Sequence, residues 1–123
     1  MLSEQDILVA LRDCFDLSLP CNIVDLGMVR GVRVAVDPEA PGAGIAGVPE
    51  KHRVVVEVAP ANAADEARMQ MSERIRNRLA GLEEVGETTV VVIESPPWSP
   101  QQITPEGRRI LGLEGNPNLV QIR

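Results

Sequence analysis

The sequence predicts a two-layer α+β fold, a small mixed sheet of three strands packed against helices in the order α-β-β-α-β-α. Three observations carry this. Apolar residues recur at helical spacing near the N-terminus and again over 62–80. Two valine-rich segments alternate with period two on either side of a loop rich in proline and glycine, and a β-branched run follows the long helix. A chain of 123 residues, 44% of them hydrophobic, is sized for a single domain over 1–123.

The first helix is expected over 3–16. Ser3 with Asp6 three residues on makes a capping-box-like start, and Ile7, Leu11, Cys14 and Phe15 then share one face. On that stripe Cys14 reads as a small buried hydrophobe. Pro20 ends the region, because the residue before a proline disfavours helix. Asn22-Ile23-Val24-Asp25-Leu26-Gly27-Met28-Val29 reads as a turn feeding a strand, with Gly27 supplying a backbone conformation that a Cβ would hinder. The first strand is expected over 28–36, with Val32, Val34 and Val36 opposed to Arg33 and Ala35.

Prolines and glycines then make 37–51 a long, mobile hairpin loop. A second strand over 53–59 sets Val54, Val56 and Val58 on one face and pairs with the first. Asn62, with Asp65 three residues on, is placed to cap a long helix running to Ala80, whose stripe is Ala64, Ala67, Met71, Ile75, Leu79 and Leu82. The third strand, over 87–94, is almost continuously apolar, which predicts a central position with both faces covered and a parallel pairing across the helix. After the stiff Ser95-Pro96-Pro97-Trp98-Ser99-Pro100 segment, Thr104-Pro105-Glu106 opens a short helix ending near Gly112. Residues 119–122 are read as a fourth, edge strand.

The net charge of −6 and an aromatic set of one Phe, one Trp and no Tyr argue against nucleic-acid binding, which needs a basic stripe and stacking platforms. No segment has the length of a membrane span, and the polar, acidic N-terminus is unlike a signal peptide, so a cytoplasmic location is expected. Two cysteines without CxxC spacing read as free thiols.

Catalytic patterns are few. The sole histidine, His52, lies between Lys51 and Arg53 and reads as a solvated residue at the start of a strand. Phosphate-binding glycine loops are absent. Asp25, a carboxylate among apolar neighbours, either bonds backbone amides to hold its turn or lines a site. Cys21 is the only plausible thiol for a soft metal. Trp98, between prolines, reads as a packing anchor more than as a ligand platform.

Three segments together resemble a known family. The run from Asp16 through Pro20 and Cys21 to Asn22-Ile23-Val24-Asp25-Leu26-Gly27-Met28-Val29 is similar to that family's "NIVDLGLV" signature and the residues before it. Pro96-Pro97-Trp98 and Arg109-Ile110-Leu111-Gly112 are similar to its "PPW" and closing "R..LG" motifs. The family is that of the small metal-sulfur cluster assembly factors similar to SufT and PaaD. The resemblance spans nearly the whole chain and implies the same helix-first α+β fold. It also implies a role helping to deliver iron-sulfur clusters to apo-proteins.

One departure matters. Where the family opens its long helix with a cysteine, this chain has Ala59-Pro60-Ala61-Asn62-Ala63, so Asn62 stands at the cysteine's position. An amide is neither a thiolate nucleophile nor a strong soft-metal ligand. By analogy Asp25 would face that helix start. Nor does the chain carry the further C-terminal cysteines of PaaD relatives.

The expected function is therefore a non-enzymatic accessory or adaptor in cluster assembly or metalloenzyme maturation, acting through protein contacts. The candidate site is Asp25, Asn62, Cys21 and Trp98. No stably bound cofactor is expected, an iron-sulfur cluster being at most transient. Partners would be assembly proteins or apo-metalloprotein clients, with exposed strand edges leaving a homodimer open. The alternatives are a non-cluster subunit of an oxygenase or other metalloenzyme complex, and a weak enzyme using Cys21 and Asp25.

Overall fold

Valines at alternate positions set the sheet. The computed structural model describes residues 2–16, 19–62 and 64–112. In it β1 (Val29–Val36) and β2 (His52–Val58) pair antiparallel, with Val32 opposite Val56 and Val34 opposite Val54. β3 (Val85–Val92) joins β2 in parallel, giving the strand order β1-β2-β3. The side chains of Val54, Val56 and Val58 point into the core, where they meet Ile7 and Leu11 of α1 (Glu4–Leu11) and Ile75 and Leu79 of α2 (Asp65–Ala80). α2 packs on β3, and α1 packs on α2 and β1. A single 3-10 turn (Pro100–Gln102) and α3 (Pro105–Ile110) follow the sheet. The α+β class and the order of elements are as the sequence predicts.

Four expectations are corrected. Among the described residues β3 is an edge strand and not the central one: their helices cover only one face of the sheet, and Val91 on the other face is 39% exposed. The central strand is β2, whose valines alternate strictly. α1 stops at Leu11, short of the expected 16, so Cys14 is buried from a turn and Phe15, bridged to Asn22, is exposed. Its start is as read, with Ser3 and Asp6 bonding each other's backbone amides at 3.1 and 2.9 Å.

His52 is not solvated but 2% exposed. It opens the central strand between Val36 and Val85, and both its amide and its Nδ1 lie against the Glu84 carbonyl, at 2.8 and 3.2 Å. Asn62 does not cap α2. Its Oδ1 accepts from the Ala64 amide at 2.9 Å, a short Asx turn that leaves Ala64 as the N-cap, without a side-chain cap. The expected strand over 119–122 lies outside the described residues.

Candidate functional site

The segment after Pro20 folds into a tight turn because its own side chains close it. Asn22 Oδ1 accepts from the Asp25 amide at 2.9 Å, and Asn22 Nδ2 donates to Asp25 Oδ2 at 2.8 Å. Backbone bonds from Leu26 to Asn22 and from Met28 to Ile23, each 3.0 Å, complete it. Gly27 stands at φ +78°, and a Cβ there would sit 2.1 Å from the Gln102 carbonyl oxygen. No other residue type fits both that conformation and that approach.

The chain after β3 docks on this turn. Trp98 Nε1 donates to the Leu26 carbonyl at 2.6 Å. The Thr104 amide donates to the Asp25 carbonyl at 2.8 Å, and the Thr104 hydroxyl lies 3.1 Å from Asp25 Oδ1 while accepting from the Gly107 amide, which caps α3. Gly107 lets the first turn of α3 press against Asp25: a Cβ there would be 2.5 Å from its carbonyl oxygen. Arg12, half exposed, adds an ion pair to Asp25 Oδ2 at 3.8 Å. Asp25 is thus a buried carboxylate whose partners are the side chains of Asn22, Thr104 and Arg12. They satisfy a group that would otherwise be costly to bury.

Cys21 precedes this turn and is 0% exposed. Burial pushes its thiol up, and the nearby Asp25 carboxylate pushes the same way. Cys14, also buried, is raised chiefly by burial, and its Sγ lies 3.8 Å from the Arg74 carbonyl. Both shifts favour the thiol over the thiolate, the form that acts as nucleophile and ligand. Among the described residues no group of three or more His, Cys, Asp or Glu side chains converges on a metal position.

Asn62 lies in a different place. It lines a small cavity of about 50 Å³ with Phe15, Asp16, Pro60, Met71 and Arg74. Pro60 also lines a second cavity, of about 140 Å³, on whose wall Trp98 stands. The fold therefore gathers Cys21, Asp25 and Trp98 around one turn, and sets Asn62 beyond Pro60 among other partners. Asn22, Thr104 and Arg12 escape the sequence reading. The Asn22-x-x-Asp25 spacing is a usable local signal, whereas Thr104 is 79 residues from Asp25.

No protein-family model matches the sequence, and no curated protein matches it significantly. Solved structures do. A domain of unknown function, DUF59, from Bacillus anthracis is 22% identical, with a TM-score of 0.68 over 89% of this chain and 92% of that one. The chain shares the DUF59 fold. A conserved hypothetical protein, TM0487 from Thermotoga maritima, aligns with a TM-score of 0.64 at 21% identity, over 90% of this chain and 95% of that one. Rv1466 from Mycobacterium tuberculosis, described as associated with [Fe-S] complex assembly and repair, is 28% identical over 89% of this chain and 84% of its own, with a TM-score of 0.51. Within the DUF59 fold, no helix among the described residues is long and apolar enough to cross a membrane.

Proposed function

We propose that this protein is an accessory of iron-sulfur cluster assembly or metalloenzyme maturation that acts through protein contacts and leaves the cluster, its cargo, to a partner. The observation that carries the reading is the fold shared with Rv1466, a protein associated with [Fe-S] complex assembly and repair, at 28% identity over 89% of the chain. Its details draw on the thiols. Cys21 and Cys14 are buried, which pushes both thiols up, and Asn62 offers an amide before the long helix, so this chain's own residues favour contact over thiolate chemistry. The partner is a cluster-assembly protein or an apo-metalloprotein client.

Depletion of the protein from its native cell tests this. The expected result is a fall in the activities of iron-sulfur enzymes, with zinc and flavin enzymes unchanged and iron-sulfur enzyme polypeptides still present. Co-purification with a single stoichiometric oxygenase partner, and no general iron-sulfur defect, would instead make the chain a subunit of that complex.

A further inference from the structure

The parallel pair of strands ends in a crevice. Pro60, just past β2, and Val92, the last residue of β3, with Glu94 beyond it form two sides of the cavity of about 140 Å³, and Arg68 of α2 with Pro97 and Trp98 lines the rest. The space outside the carboxyl ends of parallel strands is where open α/β sheets take their ligands.

Arg68 is the unusual member. Its side chain is only 26% exposed, and its Nη2 lies 3.4 Å from Oε1 of Glu94, which is itself 71% exposed. Its Nε is buried and has no hydrogen-bond partner among the described residues. Nε and Nη2 together form the edge of a guanidinium that grips a carboxylate with two parallel bonds. Glu94 uses half of that edge, at long range, and the other donor is left at a cost that buried donors ordinarily avoid. Arg68 also stands in the first turn of α2, where the helix dipole disfavours a cation. Trp98 is held in place by its bond to Leu26, so with Pro97 and Val92 it gives the cavity a fixed apolar wall.

We propose that this cavity binds a short monocarboxylate, its carboxylate gripping the Nε–Nη2 edge of Arg68 in place of Glu94 and its apolar chain lying against Trp98. A volume of about 140 Å³ holds roughly five waters at ~30 Å³ each, or a ligand of about seven non-hydrogen atoms. A single charge is favoured over a phosphate dianion, because Glu94 lies beside the site and the chain carries a net −6. This inference is independent of the iron-sulfur reading.

Trp98 is the only tryptophan and there is no tyrosine, so intrinsic fluorescence reports directly on the cavity. The full chain is titrated with isovalerate, with uncharged isovaleramide and with inorganic phosphate. The expected result is a saturable change with isovalerate alone. The affinity should weaken about tenfold or more in Arg68→Met and tighten about two- to fivefold in Glu94→Gln, which removes the competing carboxylate. No saturable change with isovalerate overturns the proposal. So does isovaleramide or phosphate binding as well as isovalerate, or an unaltered affinity in Glu94→Gln. If Arg68→Met does not fold, the Glu94→Gln comparison decides alone, since Glu94 is exposed and its loss spares the core.

Discussion

The hydroxyl of Thr104 stands 3.1 Å from Oδ1 of Asp25 while the Thr104 amide donates to the Asp25 carbonyl at 2.8 Å. One residue thus caps α3 and fastens it to the turn that leads into β1. The carboxylate that the sequence marks as a candidate for chemistry is, in the fold, the point where two distant segments are tied.

Removing that tie should cost stability. Asp25→Ala leaves the buried Asn22 amide without its acceptor and the Thr104 hydroxyl with only the Asp25 carbonyl, at 3.2 Å, for an expected loss of about 1–3 kcal/mol. Thr104→Val removes the cap of α3 as well as the bond, for about 1–2 kcal/mol. Urea denaturation followed by circular dichroism measures both. A fully stable Asp25→Ala protein would show that the carboxylate is not holding the turn.

Two glycines with nearly the same backbone separate strain from collision. Gly27 and Gly44 have φ of +78° and +79°, but a Cβ on Gly27 meets the Gln102 carbonyl at 2.1 Å and a Cβ on Gly44 meets nothing within 4 Å. Gly44→Ala should lose about 1 kcal/mol from backbone strain alone. Gly27→Ala should lose at least ~3 kcal/mol or fail to fold, because the docked Trp98–Thr104 segment must shift as well. Equal losses would mean that the segment is not seated on Gly27.

The thiols predict an alkaline limit. Burial raises the pKa of Cys14 and Cys21 in the folded chain, so the unfolded chain gives up these protons first as pH rises. Between the unfolded and the folded values the native state binds more protons, and the slope of stability with pH is negative. The stabilisation is whole below the ordinary thiol range and is lost as pH climbs through and beyond it. Melting temperatures measured from pH 7 upward should fall less steeply in Cys21→Ala than in wild type. At neutral pH, a thiol reagent should modify the native protein far more slowly than the denatured one.

The sheet shows what a sequence read by periodicity can and cannot supply. Alternating valines at Val32 and Val34 and at Val54, Val56 and Val58 reveal β1, β2 and the face each buries, because period two records burial directly. The same logic fails for β3: Thr88, Val90 and Val92 lie on the helix-covered side, but Val91 beside them faces out, so a continuous apolar run conceals an edge. Asn62 is legible as a residue that bonds a nearby amide, yet which amide it takes, Ala64 and not one in the helix, depends on a local turn that spacing does not fix. At the Asp25 turn, Gly27 is readable as a conformational need. Thr104, Trp98 and Arg68 acquire their partners only when β3 and the segment after it fold back.

His52 offers a test of the corrected core. Its Nε2 is buried and has no partner among the described residues, and the Glu84 carbonyl near its Nδ1 keeps the His52 amide as a donor whatever the side chain. His52→Leu therefore removes one unsatisfied polar atom without orphaning another, and should leave stability within about 1 kcal/mol of wild type or above it. A loss of about 3 kcal/mol or more would place a functional or structural partner on the ring.

The role proposed for this chain is to promote cluster delivery without holding the cluster. Its most direct test is anaerobic transfer from a cluster-loaded carrier protein to an apo-iron-sulfur enzyme, followed by recovery of enzyme activity, with and without this chain. Iron and sulfide are quantified on the re-isolated chain. The expected result is faster recovery that persists in Cys21→Ser, with iron and sulfide on the chain far below one per molecule. An unchanged rate, or a stable cluster on the chain that is lost in Cys21→Ser, would contradict it.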